Sequence, residues 1–279
     1  MIRKYCLTFL VIVLIIAVGV WVVIIAERLP RQKIVLLPSI SSAPVANVQV
    51  SSPKTGDEVN FPFAVSGQAR VFENMLNVRL VEQGTRKLLY QTPVYANAPD
   101  IGQFGLFEQE MDYLVVEPAS ENVVLEAFWN SPKDGSEIDV VSIPLKLNLG
   151  ETSAVKVFFG EQVDNEYNYD CNVVFSFNRV VAKTNVPARR ALEILLAGPS
   201  LADGQGVFTS INPGVKIQSL AIDNGTARVD FDEQLEFQLG GSCRVTAIRS
   251  QITETLKQFP TVENVIISIN GRTEDILQP

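Results

Sequence analysis

Histidine is absent from all 279 residues of the chain. Because histidine is the most common general base and the most common metal ligand in proteins, its absence excludes Ser-His-Asp catalysis, Cys-His catalysis and histidine-based zinc sites. Chemistry based on carboxylate, tyrosine or lysine needs a specific constellation of such residues, and none is evident. We therefore predict no catalytic residue, no metal site and no cofactor.

Basic residues are scarce relative to acidic ones in most of the chain. Residues 34–279 hold 18 basic and 30 acidic side chains, which gives this part a net charge of −12. Such a balance disfavours binding to nucleic acid phosphates or to anionic lipid headgroups as the main activity. We therefore expect no nucleic acid partner.

Cysteine is also rare, with three residues in the chain. Cys6 lies in an apolar run near the start, which leaves Cys171 and Cys243 as a pair in the rest of the sequence. A disulfide between them would close a loop of about 70 residues and stabilise the fold by about 4 kcal/mol in the chain-entropy model. The alternative is two separately buried thiols, and we favour the disulfide because cysteine is scarce and this count is even.

A long apolar run near the start predicts a membrane anchor. No charged residue lies between Cys6 and Ala26, and a helix of this length crosses a hydrocarbon core of about 30 Å. A cleaved signal peptide is the alternative, but its apolar stretch is shorter and ends in small residues, unlike the stretch before Glu27. We predict a transmembrane helix at residues 6–26 behind a cytoplasmic tail at residues 1–5.

The side of the membrane on which the bulk of the chain lies is predicted from two features. Basic residues flank the apolar run almost equally, so the charge bias does not set the topology. The tail is short and the cysteine pair suits an oxidising compartment, so we expect a single-pass cell-membrane protein with most of its chain extracytoplasmic. Residues 27–46 are rich in proline and serine and predict a stalk.

Residues 47–149 show short strands separated by turn residues. Leu76, Val78 and Leu80 alternate with polar neighbours, as expected for one face of a strand. No helical period is present, so an antiparallel β-sandwich is predicted. The seven predicted strands are Asn47–Ser51, Val59–Ser66, Leu76–Val81, Lys87–Gln91, Phe107–Val115, Val123–Trp129 and Ile138–Leu147.

Several motifs in this segment carry a family resemblance. They are Ser52-Pro53-x-x-Gly56, Pro62-Phe63-x-Val65-x-Gly67, Gly105-x-Phe107-Glu108 and Phe128-x-x-Ser131-Pro132. In this order they resemble the immunoglobulin-like domain of bacterial spore-germination proteins, and the resemblance implies an all-β immunoglobulin-like sandwich without assigned catalysis. The run Phe72-Glu73-Asn74 is either a binding edge or a strand start with a packed Phe72, and we favour the packed side chain.

Residues 154–279 mix strand and helix periods in the order β-β-α-β-β-α-β. This order predicts an α+β domain with one sheet and two helices on one face. Pro187 begins the first helix and Ser242 is the predicted N-cap of the second. Asn224-Gly225 predicts a hairpin turn with a bulge near Ser219 before it. The apolar run Val265–Ile269 predicts the central strand.

A second resemblance lies in this domain. The first helix, Val186-Pro187-Ala188-Arg189-Arg190-Ala191-Leu192-Glu193, and the segments Thr209–Asp232 and Gly241–Gly271 are similar to the GerMN domain of sporulation and germination proteins. This resemblance implies an extracytoplasmic module in envelope or sporulation assemblies, with no reaction assigned to it.

A loop at residues 164–170 holds two tyrosines between acidic residues. Asp164, Glu166 and Asp170 have oxygen atoms that could bind calcium, but the loop lacks the glycine and final glutamate of an EF-hand, so a solvated loop is favoured. Tyr167 and Tyr169 make it a candidate contact loop, because tyrosine rings give contact area at low entropic cost.

These observations favour a non-catalytic, membrane-anchored protein whose modules bind envelope proteins or cell-wall glycan in envelope or sporulation/germination-type assemblies. Two alternatives remain open. A small-ligand sensor would need a deep apolar pocket between the domains. A carboxylate-dependent cell-wall glycosidase would need two acids about 5–9 Å apart, one of them with a raised pKa.

Overall fold

The first domain is a sandwich of two β-sheets, described in a computed structural model that covers residues 45–162 and 170–278. The smaller sheet has the strand order β1-β3-β6, formed by β1 (Val48–Ser52), β3 (Phe63–Ala69) and β6 (Gly105–Met111). The larger sheet has the order β2-β9-β8-β4-β5, formed by β2 (Glu58–Asn60), β9 (Glu137–Asn148), β8 (Asn122–Asn130), β4 (Met75–Glu82) and β5 (Leu88–Tyr95).

The core of the sandwich follows the alternation predicted from the sequence. Leu76, Val78 and Leu80 on β4 are fully buried, and they pack in one core with Leu125 and Ala127 of the neighbouring strand β8. Alternate side chains of a strand lie on the same face, so this set fixes the side of the larger sheet that faces the core.

One predicted strand is divided between the two sheets. The segment Val59–Ser66 splits at Pro62 into β2 and β3. Proline has no N–H to donate to a ladder, so the chain leaves one sheet there and enters the other. The antiparallel prediction also has one exception, because β2 pairs in parallel with β9.

The second domain contains two sheets and two helices. The first sheet has the order β12-β10-β11-β7, formed by β12 (Val207–Phe208), β10 (Thr152–Glu161), β11 (Phe175–Ala182) and β7 (Tyr113–Leu114). The second has the order β13-β14-β15, formed by β13 (Ile217–Asp223), β14 (Thr226–Phe231) and β15 (Asn264–Ile269). The helices are α1 (Pro187–Ala197) and α2 (Ser242–Lys257).

The prediction of one sheet is therefore wrong. β10 and β11 pair with each other at the centre of one sheet, and β12 and β7 are its edge strands. In the described part of the chain, β13, β14 and β15 form a separate sheet and pair only among themselves. The predicted central position of the last strand is also wrong, because β15 lies at an edge and Ile266 is partly exposed. A continuous apolar run does not by itself distinguish an edge strand from a central one.

Local features of this domain are predicted with more success. Pro187 begins α1, and Ala188, Ala191, Leu192 and Leu195 on that helix are buried as expected. The register of β13 and β14 slips between Ile217 and Ser219, which confirms the predicted bulge.

The predicted hairpin turn of this domain is confirmed, whereas the predicted N-cap of its second helix is wrong. Asn224 and Gly225 have φ angles of 47° and 76°, which are the values of a type I′ hairpin turn. The N-cap of α2 is Gly241 rather than Ser242, because Ser242 is already the first helical residue.

β7 joins the two domains. Its residues Tyr113 and Leu114 follow β6 of the sandwich in the chain, but they pair with Val181 and Val180 of β11. The sequence predicts one strand over Phe107–Val115, and the structure divides it between sheets of different domains. The described residues between 46 and 278 accordingly form one compact unit.

The predicted anchor at residues 6–26, the tail at residues 1–5 and all but the end of the stalk at residues 27–46 lie outside the described residues. Within residues 45–162 and 170–278, no helix has the length and apolar character that a membrane span requires.

Candidate functional site

Four large apolar side chains are exposed at one end of the sandwich. Phe72 is 56% exposed, Tyr95 69%, Ile101 95% and Leu106 72%. We call this set the sandwich rim. Side chains of this kind are usually buried, and several of them together on a surface are typical of an interaction site.

Backbone hydrogen bonds hold the segments of the rim together. Phe72 begins a 3-10 turn, Phe72–Asn74, between β3 and β4. The Ala96 N–H, next to Tyr95, donates to the Asn74 carbonyl at 2.8 Å. The Asn97 N–H donates to the Leu106 carbonyl, also at 2.8 Å. The segments that carry Phe72, Tyr95 and Leu106 therefore meet at one end of the sandwich, and Ile101 lies in the loop between β5 and β6.

The favoured prediction for Phe72 is wrong. The side chain does not pack at a strand start, since it is more than half exposed in the 3-10 turn. The two residues that follow, Glu73 and Asn74, have φ angles of 53° and 57°. A non-glycine residue in this left-handed region costs about 1–3 kcal/mol, and such strain concentrates at functional sites. The alternative of a binding edge fits this geometry better.

The rim is bordered mainly by negative charge. Glu73 and Asp100 are exposed and adjoin Phe72 and Ile101 in the sequence, and the exposed Glu108 lies two residues after Leu106. One positive charge is close, because the Arg70 guanidinium lies 4.9 Å from the centroid of the Phe104 ring. An apolar centre with acidic neighbours suits a protein surface or a sugar ring, and it disfavours an anionic membrane surface.

The carboxyl groups of the sandwich that have a perturbed pKa lie away from the rim, and the pKa of each is shifted downward. Burial raises the pKa of Glu126, but hydrogen bonds and charge from Arg79 and Arg86 outweigh burial and hold that pKa below its usual value. Hydrogen bonds from Trp129 and Asn47 lower the pKa of Asp139. Glycosidase chemistry needs a carboxylic acid with a raised pKa, and these groups have the opposite shift.

A buried ion pair lies where the two domains meet. Arg179 on β11 is 1% exposed, and its Nη2 lies 2.6 Å from Oδ2 of Asp203, which is itself 3% exposed. The same Asp203 oxygen accepts a hydrogen bond from the Ser200 N–H at 2.7 Å. The Arg179 guanidinium also lies 5.2 Å from the ring centroid of Tyr113, which belongs to β7.

Two further contacts complete this boundary. The Ser200 hydroxyl donates to the Gln91 carbonyl of β5 at 3.0 Å, and Nη2 of Arg190 lies 2.5 Å from Oδ2 of Asp112. We call the group of Tyr113, Arg179, Ser200, Asp203 and Arg190 the junction. Its charges are paired within the chain, and its contacts join the two domains. Among the described residues, Nε of Arg179 is buried there without a hydrogen-bond partner.

The cysteine pair and the tyrosine loop have different outcomes. Cys171 and Cys243 form a disulfide, in agreement with the predicted pairing, with 5.2 Å between their Cα atoms. Tyr167 and Tyr169 lie outside the described residues, so the contact loop stays a prediction. Among the described residues, no group of three or more His, Cys, Asp or Glu side chains has a geometry that could hold a metal ion.

The sequence analysis does not identify most of the rim and the junction. Tyr95, Ile101 and Leu106 are missed. The turn residues between Ala96 and Gly105 give a signal for Ile101, because an isolated large apolar side chain in such a loop has little core to enter. Tyr95 and Leu106 lie on strands, and no such signal marks them. Arg179 and Asp203 are missed because they are 24 positions apart and the sequence contains no motif that pairs them.

Two family models match the chain. The immunoglobulin-like domain of bacterial spore germination matches residues 47–136, and the family described as sporulation and spore germination matches residues 156–275. No curated protein matches the sequence.

Solved structures of GerMN domains are similar to part of the chain. The first GerMN domain of the sporulation protein GerM from Bacillus subtilis is 21% identical, over 43% of this chain and 85% of that chain, with a TM-score of 0.34. The tandem GerMN domains of the same protein are 22% identical, over 44% of this chain and 41% of that chain, with a TM-score of 0.35.

Proposed function

We propose that this chain, which joins an immunoglobulin-like domain of bacterial spore germination to a sporulation and spore germination domain, is a non-catalytic binding protein of the cell envelope. The two family matches confirm the resemblances predicted from the sequence. In this proposal residues 6–26 anchor the chain in the cell membrane, and the two domains present binding surfaces outside the cytoplasm, in an envelope or sporulation/germination-type assembly.

The sandwich rim is the observation that carries the proposal. Burying apolar surface contributes roughly 25 cal/mol per Å², so four large exposed side chains represent binding free energy that the isolated chain does not use. Aromatic residues such as Phe72 and Tyr95 are enriched among the residues that dominate protein interfaces. A tyrosine ring also suits stacking on a sugar, so cell-wall glycan and an envelope protein are both candidate partners.

The disulfide supports an extracytoplasmic position. Disulfides persist in oxidising compartments and are rare in the cytosol, where thiols are kept reduced. The bond between Cys171 and Cys243 joins the segment before β11 to the start of α2. An oxidising environment is therefore the one in which this domain keeps its cross-link.

Two alternatives receive less support from the described residues. A small-ligand sensor would use a deep apolar pocket between the domains, but the junction fills that boundary with paired charges and packed rings. A carboxylate-dependent cell-wall glycosidase would need an acid with a raised pKa, and the resolved shifts at Glu126 and Asp139 are downward.

Site-specific photocrosslinking in the native membrane tests the proposal. We expect a photoreactive residue at position 101 or 106 to give discrete adducts, because both side chains project from the rim. The matched control is position 121, an exposed residue at the opposite end of the sandwich next to β8. Digestion with a muramidase separates glycan adducts, which shorten, from protein adducts, which do not.

Two results would contradict the proposal. The first is equal labelling at positions 101, 106 and 121, which would mean that the rim has no preferred partner. The second concerns location: protease added to whole cells should digest residues 47–279, and full protection beside a digested outward-facing marker would refute the extracytoplasmic position.

A further inference from the structure

The strand β10 has an edge that its own sheet leaves largely uncovered. One side of β10 pairs with β11 continuously from Thr152 to Phe159. The other side pairs with β12 only at Gly160 and Glu161. The backbone N–H and C=O groups of alternate residues, which include Lys156 and Phe158, therefore face away from β11. Edge strands of this kind are templates for pairing with another chain.

Thr255 in the helix α2 and Gln258 just after it occupy part of this edge. The Lys156 N–H donates to Oε1 of Gln258 at 2.7 Å, and Nε2 of Gln258 donates to the Lys156 carbonyl at 2.6 Å. The Phe158 N–H donates to the hydroxyl of Thr255 at 3.3 Å. One side-chain amide thus gives Lys156 the same two hydrogen bonds that a residue of an added strand would give.

An open cleft of about 400 Å³ lies between this edge and the helix. Its volume is within the range of ligand-binding clefts, about 300–1,000 Å³. We call it the β10 groove. Its lining comes from β10, from Asn178 on the neighbouring strand β11 and from the end of α2. The lining residues on β10 are Ala154, Val155, Lys156 and Phe158, and those at the helix are Glu254, Lys257 and Gln258.

The charge of the β10 groove is opposite to that of the protein as a whole. Lys156 and Lys257 are exposed at its two sides, and neither forms an ion pair with a described carboxylate. Glu254 is the single acidic residue of the lining. A locally basic groove on a chain with a net charge of −8 favours an acidic ligand over a basic one.

We propose that the β10 groove binds an extended, acidic peptide segment of a partner protein, which adds to β10 as a further strand. Main-chain hydrogen bonds to Ala154 and Lys156 would hold the segment, and Lys156 and Lys257 would select its acidic side chains. The Gln258 carboxamide occupies the place of one peptide residue and turns aside on binding. This inference rests on the proposed binding function but uses a different surface from the rim, so either can fail alone.

Fluorescence anisotropy with the full-length protein in a mild detergent tests this proposal. The probe is a fluorescein-labelled peptide of seven residues that alternate valine and glutamate, and we expect saturable binding. Gln258→Ala should bind about tenfold more tightly, because the peptide no longer displaces two hydrogen bonds. Reversing both charges, with Lys156→Glu and Lys257→Glu together, should weaken binding about tenfold. Lys54→Glu, an exposed reversal on the sandwich, is the control and should change nothing.

A second peptide separates strand addition from side-chain contact. It has the same side chains but carries N-methyl groups on alternate amides, which removes the donors on one edge, and it should not bind. Gln258→Glu is a further variant that keeps an acceptor for the Lys156 N–H and adds a negative charge, so it should weaken binding of the acidic probe.

Three results would overturn the proposal. They are no binding of the valine-glutamate peptide to the folded wild-type protein, equal binding of the N-methylated peptide, and self-association of Gln258→Ala without peptide binding. The last result would show that Gln258 only protects the edge of β10 from pairing with another copy. Circular dichroism confirms that each variant is folded before binding is measured.

Discussion

The two ends of the sandwich differ in which side chains are buried and which are exposed. At the junction, the charges of Arg179 and Asp203 are buried and paired, whereas at the rim Ile101 and Leu106 are apolar and exposed. The strand β6 begins at the rim, and the chain reaches the junction after Asp112, roughly 20 Å further along at the rise of a β-strand. One end is thus used to join the domains of this chain, and the other is left for contact with something else.

Breaking the junction should have the largest effect on stability. Arg179→Ala leaves the Asp203 carboxylate buried without its cation, and such a change costs about 3–5 kcal/mol. The expected result is a large loss in the free energy of unfolding, measured by denaturation of the full-length protein in detergent. The matched control is Lys183→Ala, which removes an exposed ion pair with Glu151 and should cost no more than about 1 kcal/mol.

A double variant sharpens this test. Replacing Arg179 with methionine and Asp203 with leucine removes both charges and keeps apolar volume, so much of the lost stability should return. Equal losses in Arg179→Ala and Lys183→Ala would contradict the view that the buried ion pair of the junction stabilises the fold.

The ion pairs of Glu126 are intermediate in burial between the junction and the rim. Glu126 is buried, but the arginines that bind it are partly exposed. Its Oε2 lies 2.5 Å from Nε of Arg79, and the side chain of Arg86 is about half exposed. Glu126→Gln removes charge-assisted hydrogen bonds, each of which contributes about 1.5–3 kcal/mol, so we expect a loss of about 1–3 kcal/mol at neutral pH.

The lowered pKa of Glu126 also predicts how the stability of the protein changes with pH. Because the pKa of Glu126 is lowered in the folded state, its stabilising contribution is complete above the ordinary value of 4.5 and is lost as the pH falls through the folded value. The wild-type protein should therefore lose this stability on acidification, and Glu126→Gln should show a flatter profile below pH 4.5. Glu121→Gln, an exposed change, is the control. An unchanged profile in Glu126→Gln would contradict the prediction.

Relieving the strain at the rim should have a smaller effect of the opposite sign. Glu73 has a φ of 53°, where glycine is unstrained. Glu73→Gly should leave stability unchanged or raise it by up to about 1 kcal/mol, since the entropy that glycine adds to the unfolded chain offsets part of the relief. Glu108→Gly on the extended strand β6 is the matched control and should cost about 0.5–1 kcal/mol. Equal losses in the two variants would show that Glu73 is not strained.

The sequence predicts local structure well in this protein. The turn at Asn224-Gly225 and the first residue of α1 depend on a few adjacent residues, so the chain encodes them within a short window. The two family resemblances rest on motifs spread over whole domains, and both are confirmed.

Long-range pairing is what the sequence does not reveal. β7 continues the apolar alternation of β6, and nothing in that alternation shows that its partner is β11 of the other domain. The burial of Phe72 and of Arg179 could not be predicted for a related reason, because burial depends on which distant segments cover a residue. An arginine is usually exposed and a phenylalanine usually buried, and here each is the reverse.

Removing apolar surface at the rim should change stability least of all. Ile101 is 95% exposed, so Ile101→Ser removes almost no buried area, and the free energy of unfolding should change by no more than about 0.5 kcal/mol. Leu80→Ala is the control for a buried position and should cost about 2–5 kcal/mol. The same Ile101→Ser protein should lose crosslinks from a photoreactive residue at position 106. A variant that keeps its stability but loses its adducts would show that the rim serves binding, whereas a destabilised one would show that Ile101 supports the fold.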